Sequence, residues 1–126
     1  MGQVIKDLKY TEQHEWAKLE GDTVTVGITD YAQQALGDLV FVELPEVGRK
    51  VSQKESIVVV ESVKAASEVY APVSGEIVAV NESLNTTPEQ INSAPYESGW
   101  IVKIHVSNKS ELDSLLAADQ YQEIAA

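Results

Sequence analysis

Lys64 is the side chain best placed to do chemistry. It lies in Glu61-Ser62-Val63-Lys64-Ala65-Ala66, between two stretches patterned as β-strand, 56–61 and 67–73. A lysine at a strand reversal is ordinarily solvated surface charge. Here its neighbours are small or apolar, and it is the one cation between Lys54 and Lys103. Such an isolated, presentable amine is a candidate attachment point for a covalent group. His14 and His105 make no metal-ligand pattern with each other. His105 alternates with Ile104 and Val106 and is expected to face solvent. No nucleophile–base arrangement, glycine-rich phosphate loop or metal cluster is present, so an independent enzyme is the weakest reading.

Composition narrows the field further. The chain has 126 residues, enough for one domain with a respectable core, and is 44% hydrophobic. Its formal net charge is −11, with acids spread evenly along the chain. An acidic surface repels nucleic acid and anionic membrane, and Arg49 is the only arginine. Docking onto basic rims of partner proteins fits better and should be salt-sensitive. There are no cysteines, so disulfides and thiolate metal sites are excluded. Any redox chemistry must come from an added group. No apolar run approaches membrane-spanning length. The start, Met1-Gly2-Gln3-Val4-Ile5-Lys6, lacks the apolar core of a signal peptide, and Lys6 breaks the myristoylation pattern. A soluble cytoplasmic protein, bacterial rather than otherwise, is expected; a mature mitochondrial matrix form would share these features.

Several elements must position Lys64. Residues 23–29 alternate, with Val24, Val26 and Ile28 on one face and Thr23, Thr25 and Thr29 on the other, which predicts a half-buried strand. Residues 30–36 read as a short helix capped by Thr29 or Asp30 and closed by Gly37. Strands are expected over 39–44, 56–61, 67–73, 76–80 and 100–106, the run Ile57-Val58-Val59-Val60 being suited to burial on both faces. Residues 81–99 read as the longest loop. Trp16 and Trp100 read as core. At the C-terminus Ser110 and Asp113 resemble a capping box, and Leu112, Leu115 and Leu116 fall at helical spacing, predicting a helical segment over about 110–124. A six-residue repeat relates Gly37-Asp38-Leu39-Val40-Phe41-Val42 to Gly75-Glu76-Ile77-Val78-Ala79-Val80. It implies two similar β-units related by a pseudo-two-fold and packed as a sandwich or flattened barrel, with Lys64 in the link between them.

In its motifs the chain resembles the glycine cleavage system H proteins, a lipoyl-carrying family. The resemblance runs from about Tyr10 to Tyr121. It rests on Tyr10-Thr11-Glu12-Gln13-His14-Glu15-Trp16, on Gly27-Ile28-Thr29-Asp30-Tyr31-Ala32-Gln33, and on 36–45. After these come Val60-Glu61-Ser62-Val63-Lys64-Ala65, Ala71-Pro72-Val73-Ser74-Gly75-Glu76, and Asn92-Ser93-Ala94-Pro95-Tyr96-Glu97-Ser98-Gly99-Trp100. The resemblance implies a mainly β barrel-sandwich hybrid over 1–126, with the lipoyl hairpin at about 56–73 and a C-terminal helix. It implies lipoic acid in amide linkage on Lys64, attached by a lipoate ligase or lipoyltransferase. It also implies three partners: a glycine decarboxylase (P protein) that loads an aminomethyl group, an aminomethyltransferase (T protein) that takes the carbon, and a dihydrolipoyl dehydrogenase (L protein) that reoxidises the dithiol. The carrier itself would be non-enzymatic and monomeric.

These residue types suit that task. A lysine stem plus a lipoyl chain gives reach, and tethering turns reach into high local concentration. A short β-link gives a rigid platform. Both sulfurs arrive with the added group, so the chain needs no cysteine. The loaded arm needs shelter from water, and the resemblance implies a cleft near His14-Glu15-Trp16. Glu15, Ile28, Ala65 and Glu68 are its candidate lining residues, with Glu15 placed to hold a protonated amine; Gln13 has no assigned role. Read in isolation, Glu15 would be plain surface acid, and Glu61 and Glu68 simple charge partners of Lys64 or marks for the lipoylating enzyme. A biotin carrier would show Met on both sides of the lysine, and a 2-oxo acid dehydrogenase lipoyl domain an Asp before Lys-Ala. The competing role within the family is a non-catalytic lipoyl donor or scaffold in lipoate metabolism.

Overall fold

The computed structural model describes residues 4–125. The Met1-Gly2-Gln3 start, on which the leader and acylation readings partly rest, lies outside them. Nine strands run in chain order: β1 Lys9–Tyr10, β2 Glu15–Glu20, β3 Thr23–Ile28, β4 Leu39–Glu43, β5 Lys50–Val51, β6 Ser56–Ser62, β7 Ala66–Tyr70, β8 Gly75–Val80 and β9 Val102–Val106. Three α-helices, α1 Asp30–Leu36, α2 Gln90–Ser93 and α3 Ala118–Ala125, and two 3-10 turns, Glu82–Asn85 and Lys109–Ser114, complete the described elements. The strands form a six-stranded sheet, β1-β2-β3-β9-β8-β5, and a three-stranded sheet, β4-β6-β7, antiparallel throughout. The expected sandwich is there, open rather than closed into a barrel.

Between the sheets lies an aliphatic core of Val24, Val26, Val42, Val60, Ile77 and Ile104 with their neighbours. Such β-branched side chains fill a pleated surface well. The strand expected to be half-buried is covered on both faces: Val24, Val26 and Ile28 face the core, while Thr25 is also buried at 8% exposure. Its second face is closed by the rest of the chain, which a single strand's alternation cannot show.

The sequence repeat is realised as structure. β4 pairs with β6 and β8 with β9, so each copy heads an antiparallel pair, one in each sheet. Register slips between Leu39 and Phe41 in the first copy and between Ile77 and Ala79 in the second. These are equivalent positions of the repeat. The bulged residues, Val40 and Val78, are both exposed, and Leu39 and Ile77 beside them are both buried. A shared bulge position is the signature of a common unit, since bulges are placed features of a sheet.

Two stretches differ from expectation. Residues 81–99 are not plain loop but hold a 3-10 turn and α2. They are pinned by side chains: Asn81 Nδ2 donates to Ser98 O at 2.8 Å and Trp100 O at 2.7 Å, and Asn92 Oδ1 accepts from Leu39 N at 2.9 Å. The C-terminal segment is not one helix. Asn108, not Ser110, caps the 3-10 turn, accepting from Ser110 N–H at 3.1 Å. An extended residue, Leu115, ends that turn before α3 begins. There Tyr10 and Leu116 exchange backbone bonds of 2.8 and 2.7 Å, fixing the approach to α3. That helix closes a second cluster in which Tyr10 and Tyr121 stack at 4.6 Å against Trp16, Leu8 and Ala125. Trp16 is core as expected, whereas Trp100 is only partly buried against this cluster, with Lys103 Nζ 5.2 Å from its ring.

Candidate functional site

The β6–β7 turn is built by one side chain. Ser62 Oγ accepts from Lys64 N–H at 3.3 Å and Ala65 N–H at 3.1 Å, and donates to Ala65 O at 3.2 Å. Ser62 N–H also donates to Ala65 O at 2.7 Å. Ser62 is 8% exposed, while Val63 beyond it is 79% exposed. The turn thus has a locked base and an open tip, and Lys64 stands on the tip. Sequence reasoning missed Ser62; the available signal was a serine two residues before a turn position, where a hydroxyl bonds its own backbone.

Lys64 is exposed. Among the described residues the ion pairs are Lys18–Glu20, Arg49–Glu55 and Lys109–Asp22. Lys64 joins none of them, so neither Glu61 nor Glu68 is its charge partner. Its stem passes the end of α1, where a methyl added to Gly37 would sit 3.6 Å from Lys64 Cε. Gly37 closes α1 at φ 85°, ψ −163°, with its N–H on Gln33 O. That backbone region is close to glycine-only.

A cleft of about 160 Å³ runs along α1 as far as Leu36, the residue before Gly37, and Lys64 is not among its lining residues. α1 supplies Tyr31, Ala32 and Leu36, β6 Val60, β7 Ser67 and Glu68, β3 Ile28, and the β1–β2 link His14. Thr29 sets the angle of α1 by accepting from Ala32 N–H at 3.2 Å. The wall is mostly apolar, with Gln13, His14 and Glu68 as its longer polar side chains. Burial lowers the pKa of His14 from its ordinary 6.5, so a neutral ring faces the cleft at neutral pH. No cluster of metal-ligating side chains occurs among the described residues, and His105 is exposed as expected.

Of the expected lining residues, Ile28 and Glu68 come together here. Ala65 is exposed at the tip and lines no part of this cleft. Glu15 is not surface acid: it is 1% exposed and lines a separate cavity of about 400 Å³ with Tyr10, Lys54, Tyr70 and Leu116. Gln13 touches both spaces. The Glu15 carboxylate is held by Thr11, whose hydroxyl donates to Oε1, and by Tyr70 N–H, which donates to Oε2 at 3.0 Å. Burial raises its pKa and these two bonds partly oppose the rise. A carboxylate engaged in this way is turned toward the β7 backbone.

The described site therefore has two parts. It presents an amine at the end of a rigid hairpin and offers an apolar cleft, with a carboxylate at its wall, within the neighbourhood of the stem. A family model described as "Glycine cleavage H-protein" matches residues 8–126. A glycine cleavage system H protein of Thermus thermophilus is 60% identical over 121 residues, covering 96% of this chain and 94% of that one. One from Staphylococcus carnosus is 56% identical over 121 residues, with 96% of each covered. The crystal structure of a glycine cleavage system H protein from Mycobacterium marinum superposes with a TM-score of 0.88 at 43% identity, covering 95% of this chain and 97% of that chain. No described helix is long and apolar enough to cross a membrane.

Proposed function

The chain belongs to the glycine cleavage H-protein family, and from that premise we propose that it is a lipoyl carrier whose arm is attached at Lys64. The observation that carries this reading is the state of Lys64: exposed on the tip of a Ser62-locked turn, and joined to no acid among the described residues. An amine held this way is free to be acylated, and amidation removes a charge that no ion pair needs. The exposed Val63 and Ala65 flanks suit an uncharged arm.

A bound lipoyl group supplies the chemistry, a dithiolane able to take up the aminomethyl unit of glycine and to cycle between disulfide and dithiol. The chain's own residues do the rest. The turn presents the stem to a glycine decarboxylase, an aminomethyltransferase and a dihydrolipoyl dehydrogenase in succession, and before that to a lipoate ligase or lipoyltransferase. The cleft between α1 and β7 excludes water from the arm's end. Glu68, exposed at the cleft wall, holds a protonated amine there, a role for which Glu15 is too deeply engaged. The acidic surface, at a net charge of −11, steers basic partner surfaces toward the tip.

The test is glycine–bicarbonate exchange with a matching decarboxylase. Lipoylated chain should support exchange, and the unmodified chain should not. Absence of exchange with fully lipoylated chain would favour a lipoyl donor or scaffold role instead.

A further inference from the structure

The cleft along α1 contains one ring whose protonation can be worked out from its neighbours. His14 Nδ1 lies 2.8 Å from Tyr121 Oη, and Tyr121 Oη lies 2.6 Å from Thr29 Oγ1. Thr29 and Tyr121 are both 0% exposed. Thr29 Oγ1 already accepts from Ala32 N–H. Two kinds of proton arrangement, with Nδ1 bare or with Nδ1 protonated, are compatible with these distances. In the first, the Thr29 hydroxyl donates to Tyr121 Oη, and Tyr121 donates to His14 Nδ1. Every donor then has an acceptor. In the second, a protonated Nδ1 donates to Tyr121, and Tyr121 donates to Thr29. The Thr29 hydroxyl proton is then buried with no acceptor among the described residues, and if Thr29 donates to Tyr121 instead, the buried phenol proton is the one left unmatched. An unmatched buried donor disfavours that arrangement roughly tenfold or more. In the first arrangement Nδ1 is bare, so a neutral imidazole carries its proton on Nε2.

Nε2 has no protein partner among the described residues, yet no buried side-chain nitrogen or oxygen of those residues lacks one. Nε2 therefore reaches solvent, and the space His14 lines is the cleft. The ring is held firmly in place. It stacks on Tyr31 at 4.6 Å and meets Tyr121 edge-on at 5.6 Å. Its backbone sits at φ 69°, a left-handed conformation that a non-glycine residue keeps only where its surroundings enforce it.

We infer that the Thr29–Tyr121 relay fixes His14 as an Nε2–H donor in the cleft, and that this donor selects an occupant offering an acceptor atom at that point, an amide carbonyl oxygen or a sulfur. The inference rests on the reading of the cleft as the shelter for a lipoyl arm. Such an arm carries both acceptor types. A protonated amine is matched by the Glu68 carboxylate across the cleft and mismatched by His14, so the two side chains divide the polar recognition between them.

The tautomer is tested on the full-length, unmodified, ¹⁵N-labelled chain above neutral pH, by long-range proton–nitrogen correlation of the His14 ring. The expected pattern is a protonated Nε2 and a bare Nδ1, giving way to a tautomer mixture in Tyr121→Phe. In Thr29→Val the Tyr121 hydroxyl keeps His14 Nδ1 as its one acceptor, so the bare Nδ1 should persist there, and a protonated Nδ1 in that variant overturns the inference. A protonated Nδ1 in the unmodified chain overturns the inference before any arm is present. With Lys64 lipoylated, the His14 Nε2 resonance should move together with those of Ile28 and Ala32. Shifts at Ile28 and Ala32 with Nε2 unmoved refute the donor role and leave the shelter intact. No shift anywhere in the cleft removes the shelter, and the donor role with it. Reduction of the arm separates the two acceptors: a further Nε2 shift assigns the sulfur, and an unchanged shifted Nε2 assigns the amide carbonyl.

Discussion

Ser62→Ala should loosen the tip without unravelling the hairpin. The substitution removes an acceptor shared by Lys64 and Ala65 N–H, at 3.3 and 3.1 Å, and a donor to Ala65 O at 3.2 Å. All three contacts are at the long end of the hydrogen-bond range, and the tip is open to water, which takes their place. Their combined net worth is therefore about 1 kcal/mol rather than a full bond energy each. The 2.7 Å backbone bond from Ser62 N–H to Ala65 O survives, so β6 and β7 stay paired. A loss of about 1 kcal/mol lowers the closed-to-open equilibrium constant of the turn roughly fivefold and the melting temperature by about 4 °C. The assay is twofold: amide exchange of Lys64 and Ala65, and the rate at which a lipoate ligase modifies the chain. Exchange at these two amides should quicken while that of β6 does not, and kcat/KM for lipoylation should fall by up to about fivefold, with Ser62→Thr restoring it. Unchanged exchange and unchanged lipoylation in Ser62→Ala would refute the claim that this hydroxyl shapes the tip.

Gly75→Ala should be among the most damaging small substitutions. A Cβ there would lie 2.0 Å from the His105 carbonyl oxygen, where Gly75 pairs with Val106, so the β8–β9 register must shift. A loss of about 3 kcal/mol is expected in denaturant titration. Glu15→Gln addresses pH. A buried carboxyl whose folded pKa is raised above 4.5 binds more protons folded than unfolded. Its contribution to stability is therefore greatest in acid and falls as pH rises from about 4.5 through the folded value. Glu15→Gln should remove that slope, its amide oxygen accepting from Tyr70 N–H and its amide nitrogen donating to Thr11 Oγ1 in a reversal of the parent's Thr11 bond; a variant whose stability still falls over this pH range as the parent's does would contradict this.

What the chain order revealed and what it concealed have physical reasons. The Gly37–Val42 and Gly75–Val80 copies were legible because one local unit, bulge included, is written twice. The α1 caps were legible because Thr29 and Gly37 act within their own turn. The helical turns within 81–99 were not, because no apolar period marks them and side chains of Asn81 and Asn92 pin the stretch to distant backbone. The break in the C-terminal segment was not legible because leucine spacing carries across the interruption that the Tyr10–Leu116 bridge imposes. In the site, Lys64 stood out by isolation and motif. Glu15 did not declare its burial, since its partner Tyr70 N–H lies 55 residues away in the chain. His14 looked inert because its relay runs through Tyr121, 107 residues on.

The most direct measurement is the intact mass of the full chain after incubation with a lipoate ligase, ATP and lipoic acid, followed by peptide mapping. A single lipoyl addition, mapped to Lys64 and absent from Lys64→Ala, is the expected result. Addition at any other lysine, or no addition to a folded chain, would contradict the account.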